Sequence, residues 1–107
     1  MNTETFEKLY EGLSQESRSM LVDKAREYAR QEDRLHNFKR AGEMMRCTPE
    51  RALIGFMAKH IVSMLDIADD IDQGHVISMG VSHEKILDGI NYLYLLWALL
   101  NERSGKQ

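Results

Sequence analysis

The chain has 107 residues, 17 Asp+Glu against 14 Lys+Arg and a net charge of −3. That predicts a single domain, residues 1–107, and excludes general nucleic-acid binding, which needs a cationic surface. An apolar fraction of 43% excludes disorder, and the lone Cys47 excludes an internal disulfide and fits a reducing cytoplasm.

The start, Met1-Asn2-Thr3-Glu4-Thr5, has neither the basic residues nor the apolar run of a signal peptide. The longest apolar run, Tyr92 to Leu100, is about half of the ~20 residues a membrane-spanning helix needs. A soluble cytoplasmic protein without a membrane partner is expected. One proline and no alternating β-branched stretch predict an all-α fold, a compact bundle of four to five helices.

In chain order, a first short helix is expected over Thr5 to Leu13, with Phe6, Leu9, Tyr10 and Leu13 at helical spacing. Ser14 can cap a second helix, whose stripe is Leu21, Ala25, Tyr28 and Ala29. Phe38, Ala41, Gly42 and Met45 form a set rotated away from that stripe. A break near Asp33–Asn37 follows, with Asn37 as the N-cap. Thr48-Pro49-Glu50 is a strong start signal for a helix reaching about Ile71. A loop from Gln73 to Ser82 then leads to a last helix, capped by Ser82 and running from His83 to about Arg103. Residues 104–107 should fray.

The Pro49 helix shows two faces when its residues are placed 100° apart. Leu53, Ile54, Met57, Ile61, Met64, Leu65, Ala68 and Ile71 form a wide apolar arc, with His60 inside it. Lys59, Ser63, Asp66 and Asp70 line the opposite side as a solvated face. The last helix is apolar almost all round, which predicts burial at the centre of the domain or between subunits. A homo-oligomer built through it is therefore expected.

Glu84, Asp88 and Asn91 form a polar column on that helix. A carboxylate in such surroundings needs a partner, because an unpaired buried charge costs several kcal/mol. Candidates for Asp88 are Lys59, a cation from Arg34–Arg40, or a divalent ion shared with Asp66 or Asp69. The acidic run Asp66 to His75 has the oxygen ligands that suit Mg²⁺. Zinc is not suggested, since His36, His60, His75 and His83 lack paired ligand spacing and Cys47 has no cysteine partner. There is no Gly-rich phosphate loop and no nucleophile elbow. Cys47 stands beside a helix start, but no base accompanies it.

The stretches "HNFKRAGEMMRCTPERALIGFMAKHIVSMLD" and "EKILDGINYLYLL" resemble a group of small helical proteins encoded by bacteriophages and prophages. The shared pattern is Asn37-Phe38, Thr48-Pro49-Glu50, Lys59 and Asp88, across residues 30–100. Some members are labelled nucleotide-modification associated. The helix layout is similar to the all-α nucleotide pyrophosphatases of the MazG and dimeric dUTPase type. That resemblance implies Mg²⁺-dependent hydrolysis of a nucleoside triphosphate, with Asp66, Asp69, Glu84 and Asp88 as metal ligands. The Glu-Glu-x-x-Glu motif of those enzymes is absent here, which argues against catalysis.

Three functions are then in view. The preferred expectation is a phage-borne accessory protein that binds a nucleotide or similar anionic ligand without catalysis or cofactor, sequestering a host defence signal. Its ligand-binding residues are Arg34, His36, Asn37, Lys39, Arg40, Lys59, Asp88 and Asn91, with phosphate at the start of the Phe38 helix. The second is a degenerate Mg²⁺-dependent nucleoside triphosphate pyrophosphohydrolase, with Asp66-x-x-Asp69 and Glu84-x-x-x-Asp88 as imperfect substitutes for the metal-binding motifs. The third is a counter-defence inhibitor that contacts a host protein, supported by seven Met residues and more apolar surface than so small a domain can hide.

Overall fold

Helices of this chain begin where a polar side chain takes up the free N–H groups of the first turn, and the exceptions are informative. The computed structural model describes residues 1–27 and 33–105 and has no strand among them. No described helix is long and apolar enough to cross a membrane. The chain divides into two compact units, Met1–Glu32 and Asp33–Gln107.

The first unit holds α1 (Thr3–Arg18), a π turn (Ser19–Asp23) and α2 (Lys24–Glu27). Asn2 caps α1, its side chain accepting from the Thr5 N–H at 2.8 Å. Ser14 does not start a new helix. It lies inside α1, where Glu, Gln and Arg favour helix and no proline interrupts the ladder. The expected interruption at Ser14 is absent, and the helix ladder changes only at Ser19–Asp23, where it widens into the π turn. Tyr28 and Ala29, expected on the second stripe, lie outside the described residues. Phe6, Leu9 and Tyr10 are exposed on α1.

The second unit holds α3 (His36–Met45), α4 (Pro49–Asp72) and α5 (Met79–Gly105). The break before α3 is where the phase shift puts it, but Asn37 is not its cap. Asn37 lies in the first turn, Leu35 occupies the cap position without a side-chain hydrogen bond, and Asp33 accepts from the Leu35 N–H at 3.0 Å. The helix closes with Arg46 in the left-handed region at φ 57°. The Cys47 N–H donates to the Gly42 carbonyl at 2.9 Å and the Arg46 N–H to the Glu43 carbonyl, the Schellman pattern. Gly42 is required there, because a Cβ on it would stand 2.7 Å from the Cys47 carbonyl oxygen.

Thr48 caps α4 as expected, accepting from the Arg51 N–H at 3.2 Å, with Pro49 in the first turn. The loop that follows is shorter than predicted. Ser78, not Ser82, caps α5 and accepts from the Val81 N–H at 3.2 Å. Ser82 sits one turn later and donates its hydroxyl to the Ser78 carbonyl. Ser104 and Gly105 are still helical.

The core of this unit is Leu35, Leu53 and Leu99, with Phe38, Tyr92, Leu95 and Leu96 packed against it. Phe38 carries α3 onto both long helices, its ring meeting Phe56 at 6.3 Å and Tyr92 at 6.4 Å between centroids. The reach of α3 is limited. It has 10 residues against 24 in α4 and 27 in α5, or ~15 Å of helix beside partners more than twice as long.

That mismatch corrects the expectation of a last helix buried at the centre of the domain. Leu87 and Leu99 of α5 are buried, whereas Ile86, Leu93, Tyr94, Trp97 and Leu100 are exposed. The apolar arc of α4 divides in the same way. Leu53 is fully buried, while Ile54, Ile61, Leu65 and Ile71 are exposed.

Candidate functional site

Two features compete for the role of site: the basic start of α3 and the uncovered apolar side of the α4–α5 pair. The first gathers Arg34, His36, Asn37, Lys39 and Arg40 on one helix entry, as the sequence places them. Lys39 and Arg40 are already engaged. Lys39 Nζ lies 2.6 Å from Asp33 Oδ2 and 2.6 Å from Glu102 Oε1, so it ties the start of α3 to the end of α5. Arg40 pairs with Glu43 at 2.9 Å on the exposed side of the same helix.

These contacts shift the groups in opposite directions. The hydrogen bond from Lys39, aided by the Leu35 N–H, lowers the Asp33 carboxyl below its ordinary range. Hydrogen bonds to Asp33 and then to Glu102 raise the Lys39 ammonium. An anion arriving here has to compete with two carboxylates for Lys39.

Among the described residues, the ionisable group beside Asp88 is His60, whose Nδ1 lies 3.8 Å from Asp88 Oδ2, in place of the Lys59 or α3-entry cation that the sequence suggests. The His60 ring also stacks at a tilt on Tyr92, 5.3 Å between centroids. Asp88 keeps 30% of its side chain exposed, so water solvates the charge that the apolar pattern of the helix suggested was buried. His60 Nδ1 is buried without a hydrogen-bond partner among the described residues. Lys59 is exposed on α4, and Asn91 is buried on α5.

The acidic residues do not converge. Asp66 and Asp69 are exposed near the end of α4, and Glu84 is exposed near the start of α5. Among the described residues, no three His, Cys, Asp or Glu side chains gather as metal ligands. His75 and Asp70 approach to 3.7 Å, both well exposed.

The second feature is hidden in the sequence, where its residues read as core. On α5, Ile86, Ile90, Leu93, Trp97 and Leu100 follow at intervals of four, three, four and three residues. That places them in one column. Trp97 is 66% exposed and Leu93 56%, and an open apolar hollow is lined by Ile90, Leu93, Tyr94 and Trp97.

A matching column runs along α4 through Ile54, Ala58, Ile61, Leu65 and Ala68. It too is exposed, with Leu65 at 60%. At 100° per residue, both columns fall on the flank away from Phe56 and Glu102, the residues that meet α3. They therefore share one face of the helix pair. The signal was present in the intervals themselves, a 3.5-residue repeat distinct from the core-facing positions.

Comparison with known protein families, curated proteins and solved structures finds no match to this chain.

Proposed function

We propose that this protein is a non-catalytic binding protein that works by protein–protein contact through the α4–α5 face. One observation carries the reading: two exposed apolar columns on one flank of α4 and α5, the only tryptophan among them, left uncovered by the second unit. Monomeric soluble proteins rarely expose apolar patches beyond ~300–600 Å². Leu65, Leu93, Tyr94 and Trp97 are each more than half exposed on this face. Aromatic anchors such as Trp97 and Tyr94 are the residues that dominate contact energies. The basic entry of α3, by contrast, spends Lys39 and Arg40 on internal carboxylates.

The test uses a photoreactive amino acid at position 97, with position 59 on the polar side of α4 as control. Position 97 should give a discrete protein adduct in cells that carry the protein, and position 59 should not. The complex, re-formed from purified components, should weaken with Leu93→Glu. Equal labelling from both positions would overturn the reading. So would a nucleotide that raises the melting temperature in an Arg40-dependent way while no adduct forms.

A further inference from the structure

We infer that the α4–α5 face is filled by the same face of a second copy of this chain, giving a two-fold dimer with a four-helix bundle at its centre. The inference rests on the protein-contact reading and names the partner.

The spacing comes first. Columns at alternating intervals of four and three residues are what two helices need to stay in register along a shared seam, each side chain entering a hole on the facing helix. Such a column on a single helix can be incidental. Here both helices of one pair carry it on the same flank, from Ile54 to Ala68 and from Ile86 to Leu100. A helix pair of this kind is half of a four-helix bundle, whose missing half is another pair of the same shape.

Shape and charge point the same way. The α4 column includes Ala58 and Ala68, while the α5 column is bulky and includes Trp97. Laying α4 of one copy over α5 of the other sets the column that alternates large residues with two alanines against the uniformly large one, as interdigitated packing requires. A two-fold axis makes that contact twice, so the face is its own complement. Neither column holds an Asp, Glu, Lys or Arg. Nothing on it selects a charged foreign surface, and a net charge of −3 per copy is too small to oppose pairing.

Sedimentation equilibrium with parallel fluorescence tests this on the full chain, from micromolar to submillimolar concentration. The mass should rise from 12.4 kDa toward twice that value. The emission of Trp97, the only tryptophan, should move to the blue over the same range. Leu93→Glu and Leu65→Glu alter exposed side chains and should keep the helical circular dichroism. Each should weaken pairing more than about tenfold.

Three results would overturn the inference. One is a constant 12.4 kDa with solvent-exposed emission. Another is blue emission already present in the monomer, which means the chain covers its own face. The third is a dimer indifferent to both glutamates, joined through another surface such as the exposed Phe6, Leu9 and Tyr10 of α1. The protein-contact reading is judged separately. An adduct from position 97 with a foreign protein preserves it while self-pairing fails, and no adduct removes both.

Discussion

The two sides of the α4–α5 pair are built from the same residue types, and the second unit itself covers only one of them. On the side toward α3, Leu53 and Leu99 are buried against Leu35, with Phe38 and Tyr92 sealing them. On the other side Leu65, Leu93 and Trp97 stand more than half exposed. The difference lies in what the second unit itself has to place there. The 10 residues of α3 protect one end of one side, and the opposite flank of the second unit keeps its apolar columns exposed. Apolar periodicity therefore reports that a face wants a cover, without saying which molecule supplies it.

The largest expected effect separates the two sides directly. Leu53 is 0% exposed, so Leu53→Ala should cost about 3 kcal/mol through lost burial and the cavity left behind. Leu65 is 60% exposed, and Leu65→Ala should change the monomer by less than about 0.5 kcal/mol. Urea denaturation at low protein concentration measures both. Equal costs would erase the comparison, since they would mean that both sides are interior in the monomer.

Glycines sharpen it next. Gly42→Ala should destabilise by about 1–3 kcal/mol, because the new Cβ meets the backbone at Cys47 O and Pro49 N, which cannot swing aside. A methyl group added at Gly55, in α4, would meet nothing within 4 Å. Gly55→Ala should stabilise by about 0.5–1 kcal/mol through helix propensity alone. Thermal melts of the two variants should move in opposite directions. If Gly42→Ala is silent, the close seating of α3's end on the start of α4 is not what holds the short helix in place.

Much of this fold was legible in the sequence. Thr48-Pro49 announces its helix because a threonine cap and a proline in the first turn are local chemistry, independent of packing. The phase shift at Phe38 locates α3 for the same reason. Ser14 and Ser82 misled, because a serine can cap only where the chain is free to leave the helix. Here the residues before each of them are already helical. Asp88 was harder to place. Its need for a partner followed from assuming α5 buried on every side, an assumption that depends on tertiary cover, which the second unit supplies to one side of the helix. The basic residues at the start of α3 were visible as a cluster, but Glu102, which occupies Lys39, lies 63 positions further along and no local pattern connects them.

A smaller effect comes from the tie at the covered end. Arg103 reaches Glu50 with Nε at 2.8 Å from Oε2 and its terminal nitrogen at 3.0 Å from Oε1, joining the start of α4 to the end of α5. Glu50 also complements the positive end of its helix. Glu50→Gln should cost about 1 kcal/mol, discounted because Arg103 is half exposed, and the loss should shrink in high salt. A cost that does not depend on salt would assign Glu50 a packing role instead.

The smallest effect is read from titration. Asp33 is depressed below its ordinary 3.8 by the Lys39 hydrogen bond first and the Leu35 N–H second. Its contribution to stability is therefore present above that value and is lost as pH falls through the lower, folded one. Lys39, raised above 10.5 by Asp33 and Glu102, contributes fully below 10.5 and loses that contribution as pH rises through its folded value. Carboxyl NMR should find the Asp33 midpoint below 3.8 in the native chain. Lys39→Met should move it upward while leaving the smaller depression due to Leu35. An unshifted Asp33 would mean that Lys39 is not held between its carboxylates. The start of α3 would then present a free ammonium beside Arg34, His36 and Arg40, and the balance between the two candidate sites would tip from the apolar face toward an anionic ligand.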